Sequence, residues 1–356
     1  MAYSIFVGAG QWVGVVDDER AQGLFGFDAD LWEWRPIDNG LPENLEVRYI
    51  LVRPDRPATV YAGTHQGPYV SDDSGESWRA LPLPAGTSAK DKVVWSICLD
   101  PSDAETIYVG TQGTTVFRSR NGGADWQRLL IEPPEGCLQA NFPMRVIRIA
   151  VASHDPDDIL VAFEVGGLVR SGDGGQSWTS CNKTLLELAK QPHLKSTILS
   201  DNDIEGMMDS HALALSPNHP GTVWLANRMG LFHSGDSGDD WSEFGIGRFS
   251  PLTYARDVIV SSHDPERMYA ALSVAAMSDA GSLYRSDDFG TTWSRFDHDV
   301  SIDSTLMVVA ESVSTPDRVY CAARRGQVFG TEDGGKSWQT YQLPHGVQGV
   351  YALACV

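Results

Sequence analysis

The chain has 356 residues, with 27 Lys and Arg against 47 Asp and Glu, for a formal charge of −20. That charge opposes nonspecific binding to nucleic acid or to an anionic membrane surface, and no apolar run is long enough to span a bilayer. A content of 35 Gly, 19 Pro and 11 Trp points to an all-β, turn-rich protein.

In chain order, Met1-Ala2-Tyr3-Ser4 leads directly into strand pattern, with neither a basic n-region nor a signal-like apolar stretch. A second apolar run, 23–28, is followed by Trp34. From Val47 onward a unit recurs: an apolar strand, a Pro/Asp turn, a second strand, a hairpin, a third strand, an eight-residue turn, and a strand opening on Trp. The eight-residue turn reads S/T-x-D/N-x-G-x-x-W at 71–78, 119–126, 171–178, 234–241, 286–293 and 331–338. Its third positions, Asp73, Asn121, Asp173, Asp236, Asp288 and Asp333, lie 48, 52, 63, 52 and 45 residues apart, the period of a four-stranded propeller blade. The Asp or Asn oxygen can accept from nearby backbone N–H groups, Gly tolerates positive φ, and Trp covers the hairpin.

Six inner strands precede the six turns, at 47–52, 94–99, 146–151, 211–215, 257–260 and 306–310. A seventh, 350–355, has no such turn after it. Its partners are at the other end, where 4–8 reads like 59–63 and the run ending at Asp28, with Trp34, reads as a worn seventh copy. The expectation is therefore one all-β domain over 1–356, a seven-bladed β-propeller closed by pairing the C-terminal inner strand with N-terminal strands, which removes exposed sheet edges.

On these turns the chain resembles the Asp-box (BNR) repeat proteins, a group that includes sialidases, xyloglucan-active hydrolases, sortilin-like receptors and photosystem II assembly-factor-like proteins. The resemblance covers nearly the whole chain and implies the propeller fold, with the turns themselves structural. A sialidase would require an Arg triad, a Tyr with a Glu partner and an Asp acid. Arg148, Arg228, Arg256, Tyr254 and Glu164 supply the types, but no arginine-isoleucine-proline signature stands near the N-terminus, and sialidases usually have six blades. The xyloglucan-active relatives are larger two-propeller enzymes whose paired catalytic Asp residues have no match here.

Pro/Asp turns, with His154, His219 and His263, share one face with the repeated turns. The opposite face is built from segments that do not repeat, where a scaffold keeps its function. There the chain places Arg48, Arg145, Arg148, Arg228, Arg256 and Arg324, with Trp12 and Trp95 as stacking platforms: a cationic funnel for a small anionic or saccharide-like ligand. Of the 27 basic residues, 21 are Arg and six are Lys. His211, Asp209, Glu164, Tyr254 and His65 are the candidate acid–base groups. The segment 179–210, with a short helix near Thr184, is read as a lid-like insertion on this face.

Two functions follow. The first is an intracellular hydrolase or lyase acting on a small polar substrate in the funnel; the second is a noncatalytic scaffold docking a protein partner. No cofactor is expected. A divalent metal on His65, His211 and His345 is the weaker alternative, because no H-x-H, HExxH or paired CxxC spacing occurs. Five Cys, an odd number mostly inside predicted strands, fit reduced thiols in the cytoplasm.

Overall fold

The computed structural model describes residues 3–11, 22–138, 144–197 and 200–356. Seven four-stranded antiparallel sheets are arranged as the blades of a ring. The inner strands of blades 2 to 7 are Val47–Val52, Val94–Leu99, Arg145–Ala152, Ser210–Leu215, Tyr254–Val260 and Leu306–Glu311. Blade 1 is composite: its inner strand Val350–Cys355 pairs with Ile5–Ala9, followed outward by Gly23–Asp28 and Glu33–Pro36. The expected closure is thus the observed one, with Ile5 opposite Cys355 and Val7 opposite Leu353.

Blades pack face to face through their apolar sides. Phe6, Val47, Ile50, Val60 and Ala352 form one core between blades 1 and 2, and Tyr61, Val94, Ile97 and Val109 form the next. The contact is close. A Cβ on Gly8, Gly63 or Gly110 would lie 2.7 Å from Val47 Cγ1, 2.8 Å from Val94 Cγ1 or 2.4 Å from Val146 Cγ1, so in blades 1 to 3 a glycine of the second strand admits a valine at the start of the next blade's inner strand.

The repeated turn is a self-contained hydrogen-bond unit. Ser171 Oγ donates to Asp173 Oδ1 (2.8 Å) and accepts from the Gly175 N–H (2.8 Å), while Asp173 Oδ1 accepts the Ser177 N–H (2.9 Å). The other five turns repeat this set, with Asn121 supplying its amide oxygen in blade 3. The fourth and fifth residues both have positive φ, as in Gly174 (68°) and Gly175 (84°).

These donors act on the carboxyls. The Ser177 hydroxyl and N–H bring Asp173 down to about 2, and Ser337 does the same for Asp333. A folded value below the ordinary one, about 4, means the stabilisation is complete above that pH and is lost as pH falls toward 2. Thermal unfolding at a series of pH values is expected to show the melting temperature dropping across that window. Asp173→Asn, which keeps the acceptor as Asn121 does, should flatten the slope.

Blade 1 departs from the pattern. Its turn lacks the hydroxyl–carboxyl pair; instead Asp28 Oδ1 accepts the N–H groups of Asp30 and Leu31, both at 3.1 Å. Asp28 pairs with Glu33 across this tighter connection, and Trp34 donates Nε1–H to the Tyr341 carbonyl of blade 7 (3.1 Å).

The insertion 179–210 runs along the outer side of blades 4 and 5 before reaching the rim. Its helix is Lys183–Leu188. Thr184 Oγ1 donates to Asp240 Oδ1 (2.8 Å) in the turn of blade 5, and His193 meets Glu243 on the outermost strand (2.9 Å). Leu185, Leu194, Met207 and Met208 are buried with Leu168, Phe232 and Trp241. The described contacts of the segment read as a lid are therefore with blade walls and with the blade 5 rim.

Candidate functional site

Every inner strand carries one extra residue near its start. In blade 2, Val47 pairs with Thr64 and Tyr49 with Gly63, leaving Arg48 unpaired between them. Trp95, Ile147, His211, Arg256 and Met307 hold the same position in blades 3 to 7, and Tyr351 holds it in blade 1. A β-bulge bends its strand and re-aims the extra side chain, and bulges concentrate beside functional sites. Seven of them in register make a ring of side chains at the nonrepeating face. Four of the seven, Arg48, Trp95, His211 and Arg256, are residues expected from the sequence.

The ring is continuous on one side. The Arg48 guanidinium lies 4.2 Å from the Tyr351 ring centre and 4.8 Å from that of Trp95, and the Arg145 guanidinium lies 4.2 Å from Trp95. Arg48 Nη1 and Tyr351 Oη both donate to the Gln11 carbonyl at 2.9 Å. Trp95 is only 4% exposed, because the two guanidiniums cover it; it holds them in place and offers little face to a ligand. Trp12 lies outside the described residues.

On the other side sits a proton-bearing chain. A carbonyl can only accept, so the 2.8 Å contact to the Ala255 oxygen fixes the proton on His211 Nδ1. In the neutral ring Nε2 then accepts from the Tyr254 hydroxyl, 3.3 Å away. Burial pushes that hydroxyl up to about 12, with Arg256 opposing, so it stays protonated at neutral pH. Asp209 Oδ2 lies 3.4 Å from the same Nε2 and accepts from Arg228 at 2.6 Å. Burial works against its ionised form, but the charge of His211 when its ring is protonated, together with Arg228, outweighs burial and holds the carboxyl well below its ordinary range.

The cationic funnel is corrected to a charge-compensated one. Arg48 pairs with Glu46, Arg145 with Glu164 (2.6 Å), Arg228 with Asp209 and Glu205, and Arg148 with Asp257 (3.3 Å). The first two pairs are local: Glu46 lies two residues before Arg48, just ahead of the inner strand, and Arg145 is the register partner of Glu164. Arg148 reaches from blade 4 to blade 6 and also lies 5.1 Å from the Tyr49 ring of blade 2, flooring the ring. Beneath it an axial cavity of about 300 Å³ extends from Arg148 and Asp257 to Leu215 and Val260.

Arg256 differs from the others. It is half-buried and makes no ion pair or hydrogen bond among the described residues. Burial alone would lower its guanidinium; Tyr254, Glu164, Asp209 and Tyr351 outweigh it. Those groups come from blades 6, 4, 5 and 1, so the charge of Arg256 lies where they converge. Arg324 is buried on the blade 7 hairpin at the same end. His65 stands apart: its Nδ1 accepts the Glu46 N–H (3.0 Å) and its Nε2 meets Gln66. His345 is exposed in the loop before blade 1's inner strand. Among the described residues no three His, Cys, Asp or Glu side chains are grouped to hold a metal, so the trio of His65, His211 and His345 does not form a centre.

No family model matches the chain. A curated xyloglucanase from Paenibacillus sp. is 25% identical over 277 residues, covering 75% of this chain and 23% of its own length. The GH74 xyloglucanase of Xanthomonas campestris aligns with a TM-score of 0.63 at 19% identity, over 83% of this chain and 45% of that one. YCF48 from Cyanidioschyzon merolae aligns with a TM-score of 0.57 at 15% identity, over 84% and 86%. The chain is a seven-bladed propeller similar to both. It spans less than a quarter of the curated relative's length, and the structural likenesses are likenesses of fold.

Proposed function

We propose that the chain is a hydrolase of a small saccharide-like substrate bearing an anionic group, bound inside the ring of bulge residues. The observation that carries this reading is Arg256: a half-buried guanidinium without an ion pair among the described residues, set among Tyr254, His211 and Glu164. A substrate carboxylate would complete it as Glu164 completes Arg145. His211 is the acid–base group, since protonation at Nε2 turns that atom from acceptor of the Tyr254 proton into donor toward Asp209. Asp209, pinned by Arg228, serves to orient and charge-balance it. The similarity to a xyloglucanase supports a saccharide. Five unpaired cysteines support a cytoplasmic setting.

The test is hydrolysis of a panel of glycosides with and without a carboxylate. Arg256→Ala and His211→Ala should each lower kcat/KM at least tenfold, about 1.4 kcal/mol, with little change in melting temperature for Arg256→Ala and a measurable fall for His211→Ala, whose buried partners lose their bonds. The Arg256 variant should lose more on the anionic substrates.

A second reading, a noncatalytic scaffold docking a protein segment on this face, is favoured by the internal pairing of Arg145, Arg148 and Arg228. It expects no turnover of any glycoside, mild effects of single changes, and protection of the face by a partner protein.

A further inference from the structure

At the opposite, repeated-turn end of the ring, the outer edge between blades 7 and 1 breaks the symmetry of the molecule. Six of the seven turns are the hydrogen-bonded unit described above, five with a carboxyl and one with the Asn121 amide. The seventh, at blade 1, exposes Leu31 and Trp32, the latter 58% exposed with a backbone φ of 56°. A bulky residue held at positive φ stores strain of about 1–3 kcal/mol, which persists only where surrounding structure enforces it. Here the enforcement is visible. The Trp32 indole packs edge-on to Phe27 at 5.2 Å and leans on Tyr341 at 5.4 Å, and Phe27 packs on Tyr341 and Trp34 at 5.0 and 5.3 Å. Trp34 is tied to the neighbouring blade by its bond to the Tyr341 carbonyl.

This aromatic floor belongs to a cleft of about 360 Å³ whose other walls are Glu33, Thr340, Gln342 and Pro344. We propose that it is a second ligand site, a shelf for a neutral pyranose, independent of the ring of bulge residues. A pyranose has an apolar C–H face and a rim of hydroxyls. The cleft offers the matching pair: the exposed Trp32 indole and the half-buried Trp34, backed by buried Phe27 and Tyr341, and a carboxylate, a hydroxyl and an amide at the edge. Among the described residues no cationic side chain lines the cleft, Glu33 is already paired with Arg35 (2.7 Å), and the net charge is −20, so nothing here favours an anionic ligand, which separates this site from the one holding Arg256. The cleft is compact and bounded by Pro344, which suits a ring better than an extended peptide.

The probes are neutral oligosaccharides of glucose, galactose, mannose and xylose, titrated into 5-fluorotryptophan-labelled protein and followed by fluorine NMR. The Trp32 resonance is identified as the one lost in Trp32→Phe. At least one series is expected to shift it at concentrations up to about 10 mM, tenfold above a millimolar Kd. Trp32→Ala should weaken that binding at least tenfold, and Arg256→Ala should leave the Trp32 shift unchanged. No shift with any series, binding undiminished in Trp32→Ala, or a shift produced only by a proline-rich peptide would each overturn the proposal. Because Trp32 lies at the surface, thermal unfolding of Trp32→Ala should show a folded protein, so a loss of binding reports the shelf itself.

Discussion

Deleting Val350–Cys355 is expected to leave no soluble monomer. This strand is the inner strand of blade 1 and contacts the inner strands of blades 2 and 7, so its removal opens the ring at three surfaces. Val350, Ala352, Leu353, Ala354 and Cys355 are all buried. Their loss would also bare the edge of Ile5–Ala9, whose N–H and C=O groups now pair with this strand, and an apolar unpaired edge invites association between chains. Every other blade closes on itself within a contiguous stretch of chain, so no second segment could take its place. Size-exclusion chromatography and thermal unfolding of the truncated chain test this; a monomer with an unchanged melting curve would defeat the closure argument.

Asp257→Ala should be the most damaging single substitution at the axis. Asp257 is 1% exposed, and its two oxygens accept from the Val258 and Val309 N–H groups, both at 3.1 Å, and from Arg148. Removing it leaves an uncompensated guanidinium and bonds lost on two blades, and breaking a buried pair from one side costs about 3–5 kcal/mol. Since the whole fold of a typical domain is worth about 5–15 kcal/mol, urea unfolding should show the midpoint falling steeply. Arg148→Met is expected to cost less, because Asp257 keeps both backbone donors. Equal effects from the two substitutions would mean that the ion pair, rather than the blade-bridging backbone bonds, holds the axis.

The residues that make the candidate site were partly legible. Arg48, Trp95, His211 and Arg256 were identified because they stand in nonrepeating segments at inner-strand starts. The bulge that sets them apart was not identified, because an extra residue in one strand shows only against its partner's register. Ile147, Met307 and Tyr351 occupy the same structural position, yet none has a chemistry that marks it in isolation. The pairing of Arg148 with Asp257 spans 109 residues and two blades, and nothing local couples them. Trp95 illustrates the opposite error: an aromatic residue beside arginines suggested a platform open to ligand, and the same arginines turn out to cover it.

What the sequence determined by itself is what eight consecutive residues can settle. The hydroxyl, the Asp or Asn oxygen and the glycine of each repeated turn satisfy one another without help from elsewhere, so the turn's spacing along the chain set the blade size and six of the blades; the seventh, and with it the ring, was legible in the apolar runs at the two ends of the chain. The tertiary structure alone decided which charges cancel and which do not. Arg48 meets a carboxylate two residues away in sequence, Arg145, Arg148 and Arg228 meet carboxylates brought to them by strand register and blade packing, and Arg256 meets none among the described residues; for Arg148 and Arg256 the outcome depends on distances across an axis no local segment spans. For the same reason the worn turn at Asp28 was readable as a departure from the repeat. Its consequence, an indole held outward against Tyr341 of the last blade, exists only because the ends of the chain meet.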